Sequence, residues 1–273
     1  MNSTVISNAA AHWNSHQLAE ILSHCFEGYL VSFTIDGETF ASRFSAEDIS
    51  LNDSRVWTQN GEPKALAIIT RRGQSSRLAA FAICPELRGQ GVGKQLMKQL
   101  IHEAQARGDR NMWLEVIVGN DSGLALYERM GFVRQQTLVG FSAVSSTLFT
   151  ATGELQEIDP MVMAKKMMTD TSLQLPWLSA PETLYKLVGK AFVLNDVAYA
   201  MVATAPQGFR VRMLYVEPTA RGQGQAKKLL TLLRERFAGL NTATAIPEPM
   251  APIFLRSGYR QDTITQYEML LKF

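Results

Sequence analysis

Cysteine is scarce. Cys25 and Cys84 are the only two in 273 residues, too few for the disulfide framework of a small secreted domain, and a reduced, cytoplasmic protein is expected. Neither has a partner at metal-type spacing, and the four histidines (His12, His16, His24, His102) form no metal signature, so no metal is expected. An excess of one charge is also missing. The formal net charge is +2, and lysine and arginine are scattered, which argues against a nucleic-acid surface. The apolar stretches fall short of the roughly 18 residues a membrane span needs, so no membrane partner is expected. The opening MNSTVISNAAAHWNSHQ has no basic segment followed by an apolar core, and no signal peptide is expected.

What is present is ordinary globular composition, 46% hydrophobic and 19% charged, in a chain long enough for one large domain or two modest ones. A long internal repeat decides for two. Arg88-Gly-Gln-Gly-Val-Gly93 and Arg221-Gly-Gln-Gly-Gln-Ala226 occupy matching places. Each follows an apolar run ending in an X-Pro step, which bars helical geometry before the proline. Each precedes a helix-period pattern, Val92, Leu96, Leu100, Ile101 and Ala104 in one and Ala226, Leu229, Leu230, Leu233 and Phe237 in the other, stopped by Gly108 and Gly239. Further on, LYERMGFVRQ corresponds to IFLRSGYRQD.

The patterns predict helices over 15–26, 38–48, 90–107 and 121–130, and strands over 55–59, 64–71, 77–84, 111–118 and from 132. The second half repeats them: helices near 160–169, 180–187, 222–237 and 249–256, and strands near 191–194, 197–204, 209–216, 240–245 and on to the C-terminus. The polar, turn-prone stretch SSTLFTATGELQEIDP places a boundary between domains 1–145 and 146–273.

A strand feeding a helix through glycines presents unpaired N–H groups and the positive helix end to a phosphate. A P-loop needs serine or threonine after Gly93-Lys94, where Gln95 stands. A dinucleotide fingerprint needs glycine where Lys94 stands. The pattern that fits is Arg/Gln-x-x-Gly-x-Gly/Ala, followed by MWLEVIVGNDSGLALYERMGF. Together these segments resemble the GNAT family of N-acetyltransferases, and the first half is especially similar to bacterial enzymes that acetylate the N-terminal amine of ribosomal proteins.

The resemblance implies an α/β (α+β) fold of two tandem GNAT-like domains, each a mixed, mostly antiparallel sheet flanked by helices. It implies acetyl-coenzyme A as acetyl donor, with no metal. Phe81, Ala82 and Ile83 would line the pantetheine arm, Arg88, Gly89, Gln90, Gly91, Val92, Gly93 and Lys94 would form the pyrophosphate loop, and Asn120 would contact the cofactor further along. Tyr127 matches the family's general acid. Glu115 matches the proton acceptor of the ribosomal-protein enzymes, with a structural hydrogen-bond acceptor as the other reading. Glu86, His102 and Cys84 are weaker candidates.

The acceptor would be a primary amine, of a small molecule or a peptide N-terminus. The acidic stretch TIDGETFASRFSAEDISLND would attract a cation, or simply be a solvated helical face, and the aromatic CFEGYLVSF would pack over the acceptor or belong to the core. In the second domain Phe254 falls at the position of Tyr127, Pro247 at Asn120 and Thr242 at Glu115, so that domain is expected to be non-catalytic. Monomer and homodimer both stay open. The competing reading is a non-catalytic acyl-coenzyme A binding or regulatory protein.

Overall fold

A computed structural model describes residues 5–144, 151–205 and 208–273. The boundary expected at residue 145 falls in 145–150, outside the described residues. The chain packs as two compact units, one running up to Gln135 and including Tyr267–Phe273, the other Gln136–Gln266. The units are therefore not the two halves of the sequence, because the first includes the last residues of the chain.

The first unit contains β1 (Ile6–Ala9), α1 (Ser15–Cys25), α2 (Gly37–Ala46), β2 (Arg55–Gln59), β3 (Glu62–Arg72), β4 (Ser75–Ile83), α3 (Val92–Ala106), β5 (Asn111–Ile117) and α4 (Asp121–Arg129). Strands β1 to β4 pair antiparallel in sequence order, β4 pairs β5 in parallel, and Tyr267–Lys272 lies next to β5. Side chains alternate across β3 as a strand's period of two requires. Leu66 and Ile68 pack with α1 and α2, while Ala65, Ala67 and Ile69 pack with α3 and α4. The helices start where short polar side chains can cap them. Asn14 and Gln17 form a capping box on α1, Asp36 accepts from the Thr39 N–H of α2, and Asn120 accepts from the Gly123 N–H of α4.

Strand β6 (Val133–Ala143) leads into the second unit. There follow β7 (Gln156–Ile158), α5 (Pro160–Met168), α6 (Pro181–Leu184), β8 (Lys190–Leu194), β9 (Ala198–Ala205), β10 (Gly208–Val216), α7 (Gln225–Arg236), β11 (Asn241–Thr242), β12 (Ile246–Pro247), α8 (Ala251–Leu255) and β13 (Tyr259–Lys272). The plan of the first unit recurs. Strands β7 to β10 pair antiparallel and β10 pairs β11 in parallel. Phe192, Leu194, Ala200 and Val202 face α7 and α8, and Ala191, Val193, Tyr199 and Met201 face α5. The α/β organisation and the mixed, largely antiparallel sheets are as expected.

Three elements differ from the sequence reading. Two short strands, β1 and β7, lie in stretches too polar to mark them, and of the strand expected over 240–245 only β11 forms, with β12 following just beyond it. Pro247, which has no N–H for a ladder, ends β12. Among the described residues no helix is long and apolar enough to cross a membrane.

Candidate active site

The parallel pairing of β4 with β5 runs from Ser75↔Asn111 to Leu78↔Leu114 and ends there. On its other edge β4 stays paired with β3 as far as Ile83↔Ala65. The two parallel strands thus part, and the β5-facing edge of Ala79–Ile83 is left to line a cleft. That cleft has a volume of about 540 Å³ and is lined by Phe81, Ala82 and Ile83 on one side and Asn120, Leu126 and Tyr127 on the other. Cys25, Phe26, Gly28, Tyr29 and Leu30, from the aromatic segment after α1, complete the wall. Tyr29 carried no individual signal in the sequence, although the aromatic density of its segment did.

The glycine loop forms one end. Gly89 and Gly91 adopt φ of +74° and +76°, a region glycine enters without steric cost. Gly91 is the N-cap of α3, so the first N–H groups of that helix have no intrahelical partner. A Cβ on Gly89 or Gly91 would meet nothing within 4 Å, which leaves clear space in front of the backbone. Arg88 braces the loop by donating from Nε to the Ile83 carbonyl at 2.9 Å and from Nη2 to the Cys25 carbonyl at 2.9 Å. Gln90 donates to the Glu86 carbonyl at 2.7 Å. Arg88, Gly89 and Gly93 line the cleft, whereas Gln90, Gly91, Val92 and Lys94 stand outside its lining at the turn into α3.

Tyr127 reaches the cleft from α4. Burial, reinforced by the nearby Tyr29, pushes its phenol well above the ordinary tyrosine value, so at neutral pH its hydroxyl stays protonated. The Asn120 side chain donates to the Tyr29 hydroxyl at 2.9 Å, tying the cap of α4 to the segment after α1.

Glu115 is placed differently from the expectation. It is not among the cleft-lining residues. Both its oxygens accept from Arg77 Nε at 2.9 Å, and Arg77 Nη2 stands 2.6 Å from Oε2. Arg77 turns its Nη1 to Glu47 at 2.8 Å, and Glu47 also accepts from Arg43 Nε at 3.1 Å. Side-chain exposures of 1%, 2% and 7% for Glu47, Arg77 and Glu115 make this a buried charge network. It sits where β4 and β5 part and joins both strands to the end of α2. The acidic stretch that suggested a cation-attracting surface is largely neutralised in the same way. Glu47 is paired as above, Asp48 with Arg72, and Asp53 with Arg71 and Arg107, while Asp36 caps α2.

For Glu47, burial alone would raise the carboxyl, but Arg43 and Arg77 outweigh it and hold it below its ordinary value. A depressed carboxylate stabilises the fold above its unfolded value of about 4.3 and loses that contribution as pH falls through the folded value. Stability measured by thermal unfolding is therefore expected to fall as pH drops below about 4.3. In a Glu47→Gln variant that acid-dependent part should be smaller. An unchanged pH profile in the variant would show that Glu47 is not its source.

Both cysteines are buried and free. The neighbouring Cys84 and burial push the Cys25 thiol far above an ordinary one, while Cys84 is held below it beside Cys25, and Cys84 Sγ donates to the Pro63 carbonyl at 3.9 Å.

The second unit repeats the loop, with Phe254 at the place that corresponds to Tyr127. Gly222 and Gly224 have φ of +77° and +78°, and Arg221 donates from Nε to the Val216 carbonyl at 3.0 Å, as Arg88 does to Ile83. A cleft of about 510 Å³ lies beside this loop. Phe254 is outside its lining and fully buried. It stacks on Phe141 with centroids 4.7 Å apart and planes 8° apart. Thr242 accepts from the Phe141 N–H at 2.8 Å and donates to the Ala243 carbonyl at 3.0 Å, which is a structural role.

The chain is similar to known proteins. Residues 16–132 match the family model described as "Acetyltransferase (GNAT) family". Over 75 residues the chain is 40% identical to the [Ribosomal protein bS18]-alanine N-acetyltransferase of Escherichia coli (strain K12), covering 28% of this chain and 51% of that protein. Over 105 residues it is 30% identical to streptothricin acetyltransferase of Streptomyces lavendulae, covering 37% of this chain and 52% of that one. The chain thus spans about half the length of these curated relatives. Among solved structures, a GCN5-related N-acetyltransferase from Sphaerobacter thermophilus aligns over 98% of this chain and 95% of its own, with TM-score 0.69 and 15% identity. A tandem GNAT protein from the clavulanic acid biosynthesis pathway aligns over 98% of each chain, with TM-score 0.63 and 13% identity. At these identities the structures speak for a shared fold, one that extends over both units.

Proposed function

Because residues 16–132 match the acetyltransferase (GNAT) family model, we propose that the chain moves an acetyl group from acetyl-coenzyme A to a primary amine, the N-terminal α-amine of a peptide or that of a small molecule. The observation that carries this reading is the cleft where β4 leaves β5, with a glycine cradle at one end and Tyr127 in its wall. In this reading the amides from Gly89 to Lys94 hold the pyrophosphate, the open edge of Phe81–Ile83 holds the pantetheine arm, and Asn120 positions the far wall. A backbone N–H near Ile83 polarises the thioester carbonyl as an oxyanion-type donor. The neutral amine attacks the thioester carbon, the carbon–sulfur bond breaks, and Tyr127 gives its proton to the leaving thiolate. Both Glu115 oxygens already accept from Arg77, so Glu115 enters as a positioning residue for the parted strands, and water takes the ammonium proton.

Similarity to the ribosomal-protein enzymes supports a peptide N-terminus, and similarity to streptothricin acetyltransferase supports a small-molecule amine. Thiol release from acetyl-coenzyme A, followed over peptides of varied first residue and over small amines, separates the two. If no amine accelerates release while acetyl-coenzyme A still binds, the chain is a binding protein and the catalytic reading fails. The second unit, with Phe254 in place of a donor, is proposed to be non-catalytic.

The cradle has its own test. Gly91→Val should keep the fold, since open space surrounds that position, at a backbone cost of about 1–3 kcal/mol for a side chain at positive φ. Affinity for acetyl-coenzyme A should fall more than tenfold, because the side chain occupies the space in front of the amides. Calorimetry on a folded variant that binds as the parent does would remove the loop from the site.

A further inference from the structure

Three side chains that acetyl transfer leaves unused converge just beyond β4. His24, from the last turn of α1, Cys84, following β4, and Glu86, next after Pro85, each bring one ligand atom to within 4.8 Å of the others. Thiolate, imidazole and carboxylate together suit a zinc-type ion and leave a fourth position open. Ligand atoms around tetrahedral zinc stand about 3.5 Å apart for bonds of about 2.0–2.3 Å, so the cluster must contract by roughly an ångström. His24 and Glu86 have that freedom, since their side chains are 52% and 47% exposed.

The surrounding groups fit the same purpose. The Glu27 carboxylate lies 3.1 Å from His24 Nδ1, which leaves Nε2 for a metal, the outer-shell arrangement that orients metal-binding imidazoles. Lys64 Nζ binds Glu86 Oε1 at 2.9 Å, leaving the other oxygen. The Cys84 thiol donates to the Pro63 carbonyl at 3.9 Å, and this is the proton the ion would displace. Charge balances too, because a thiolate and a carboxylate together match a divalent ion.

We propose that His24 Nε2, Cys84 Sγ and a Glu86 oxygen form a binding site for a zinc-type divalent cation. The ion replaces the Cys84 proton, which is released to solvent, and forms metal–sulfur, metal–nitrogen and metal–oxygen bonds without any change of oxidation state. It fastens the end of α1 to the lead-in of the glycine loop, the same two segments that Arg88 joins through the Cys25 and Ile83 carbonyls. The site does not depend on the acetyl-transfer reading.

Cobalt(II) alone is the probe, because cobalt–thiolate bonding gives a charge-transfer band in the near ultraviolet. Full-length protein, stripped with chelator and kept reduced, should develop the band at one equivalent, and zinc should displace it and raise the thermal midpoint. His24→Ala, at an exposed position, should keep the fold and weaken cobalt at least tenfold. Glu27→Gln should weaken it about 10–100-fold. Cys84→Ser should abolish the band, and Cys25→Ser should retain it. No band at millimolar cobalt, unchanged affinity in His24→Ala, or a band that requires Cys25 in place of His24 would each overturn the site.

Discussion

Tyr127→Phe is expected to lower turnover by about 10²–10⁴-fold, the usual worth of a general acid, while acetyl-coenzyme A affinity stays close to that of the parent. The ring sits against Phe132 with centroids 5.9 Å apart, and phenylalanine preserves that packing. What is removed is a hydroxyl that burial and the neighbouring Tyr29 keep protonated. The second unit already holds phenylalanine at the corresponding place, where Phe254 stacks on Phe141, so this part of the fold accommodates the unsubstituted ring. Steady-state kinetics and calorimetry on the same preparation give the two numbers. Parental turnover would make Tyr127 a packing residue and require another donor for the thiolate.

Much of this arrangement was legible in the sequence because it is local. Glycines that must adopt positive φ, X-Pro steps that end strands, and apolar residues at helical or alternating spacing report on backbone within a few residues of themselves. That is why the two loops, the helices after them and the strands before them stand where the repeat put them. What was not legible is set by distant pairing. The last residues of the chain alternate as a strand must, but nothing in that alternation says that Tyr267–Phe273 belongs with the first unit. The negative surface read from Asp36 to Asp53 dissolves once Arg71, Arg72, Arg77 and Arg107 arrive from elsewhere in the chain. The convergence of His24 with Cys84 and Glu86 was hidden for the same reason, since metal spacing in sequence detects only ligands carried on one turn or hairpin. Glu115 shows the limit most sharply. Its apolar neighbours announced that the carboxylate needed a partner, and only the fold could name Arg77.

Arg77→Met should be the most destabilising of these substitutions. It leaves Glu47 and Glu115 buried with a large share of their compensation gone, and breaking a buried ion pair by removing one partner costs about 3–5 kcal/mol. In a chain of this size that corresponds to a fall of roughly 10 °C in thermal midpoint. The sign of its pH dependence follows. Without Arg77 the buried Glu47 carboxylate holds its proton more readily than in the parent, so the gap between variant and parent should narrow as the solution is made acidic. A gap that stays constant with pH would point to lost packing of the arginine stem instead of unpaired charge. Glu115→Gln then distinguishes positioning from proton transfer. The amide still accepts one bond from Arg77, so if Glu115 only holds the strands apart, turnover should change little and the pH–rate profile should keep its shape. If the carboxylate deprotonates the amine, turnover should fall by about 10²–10⁴-fold and the acidic limb of the profile should disappear, and Glu115 would return to the catalytic role that its place in the sequence suggested.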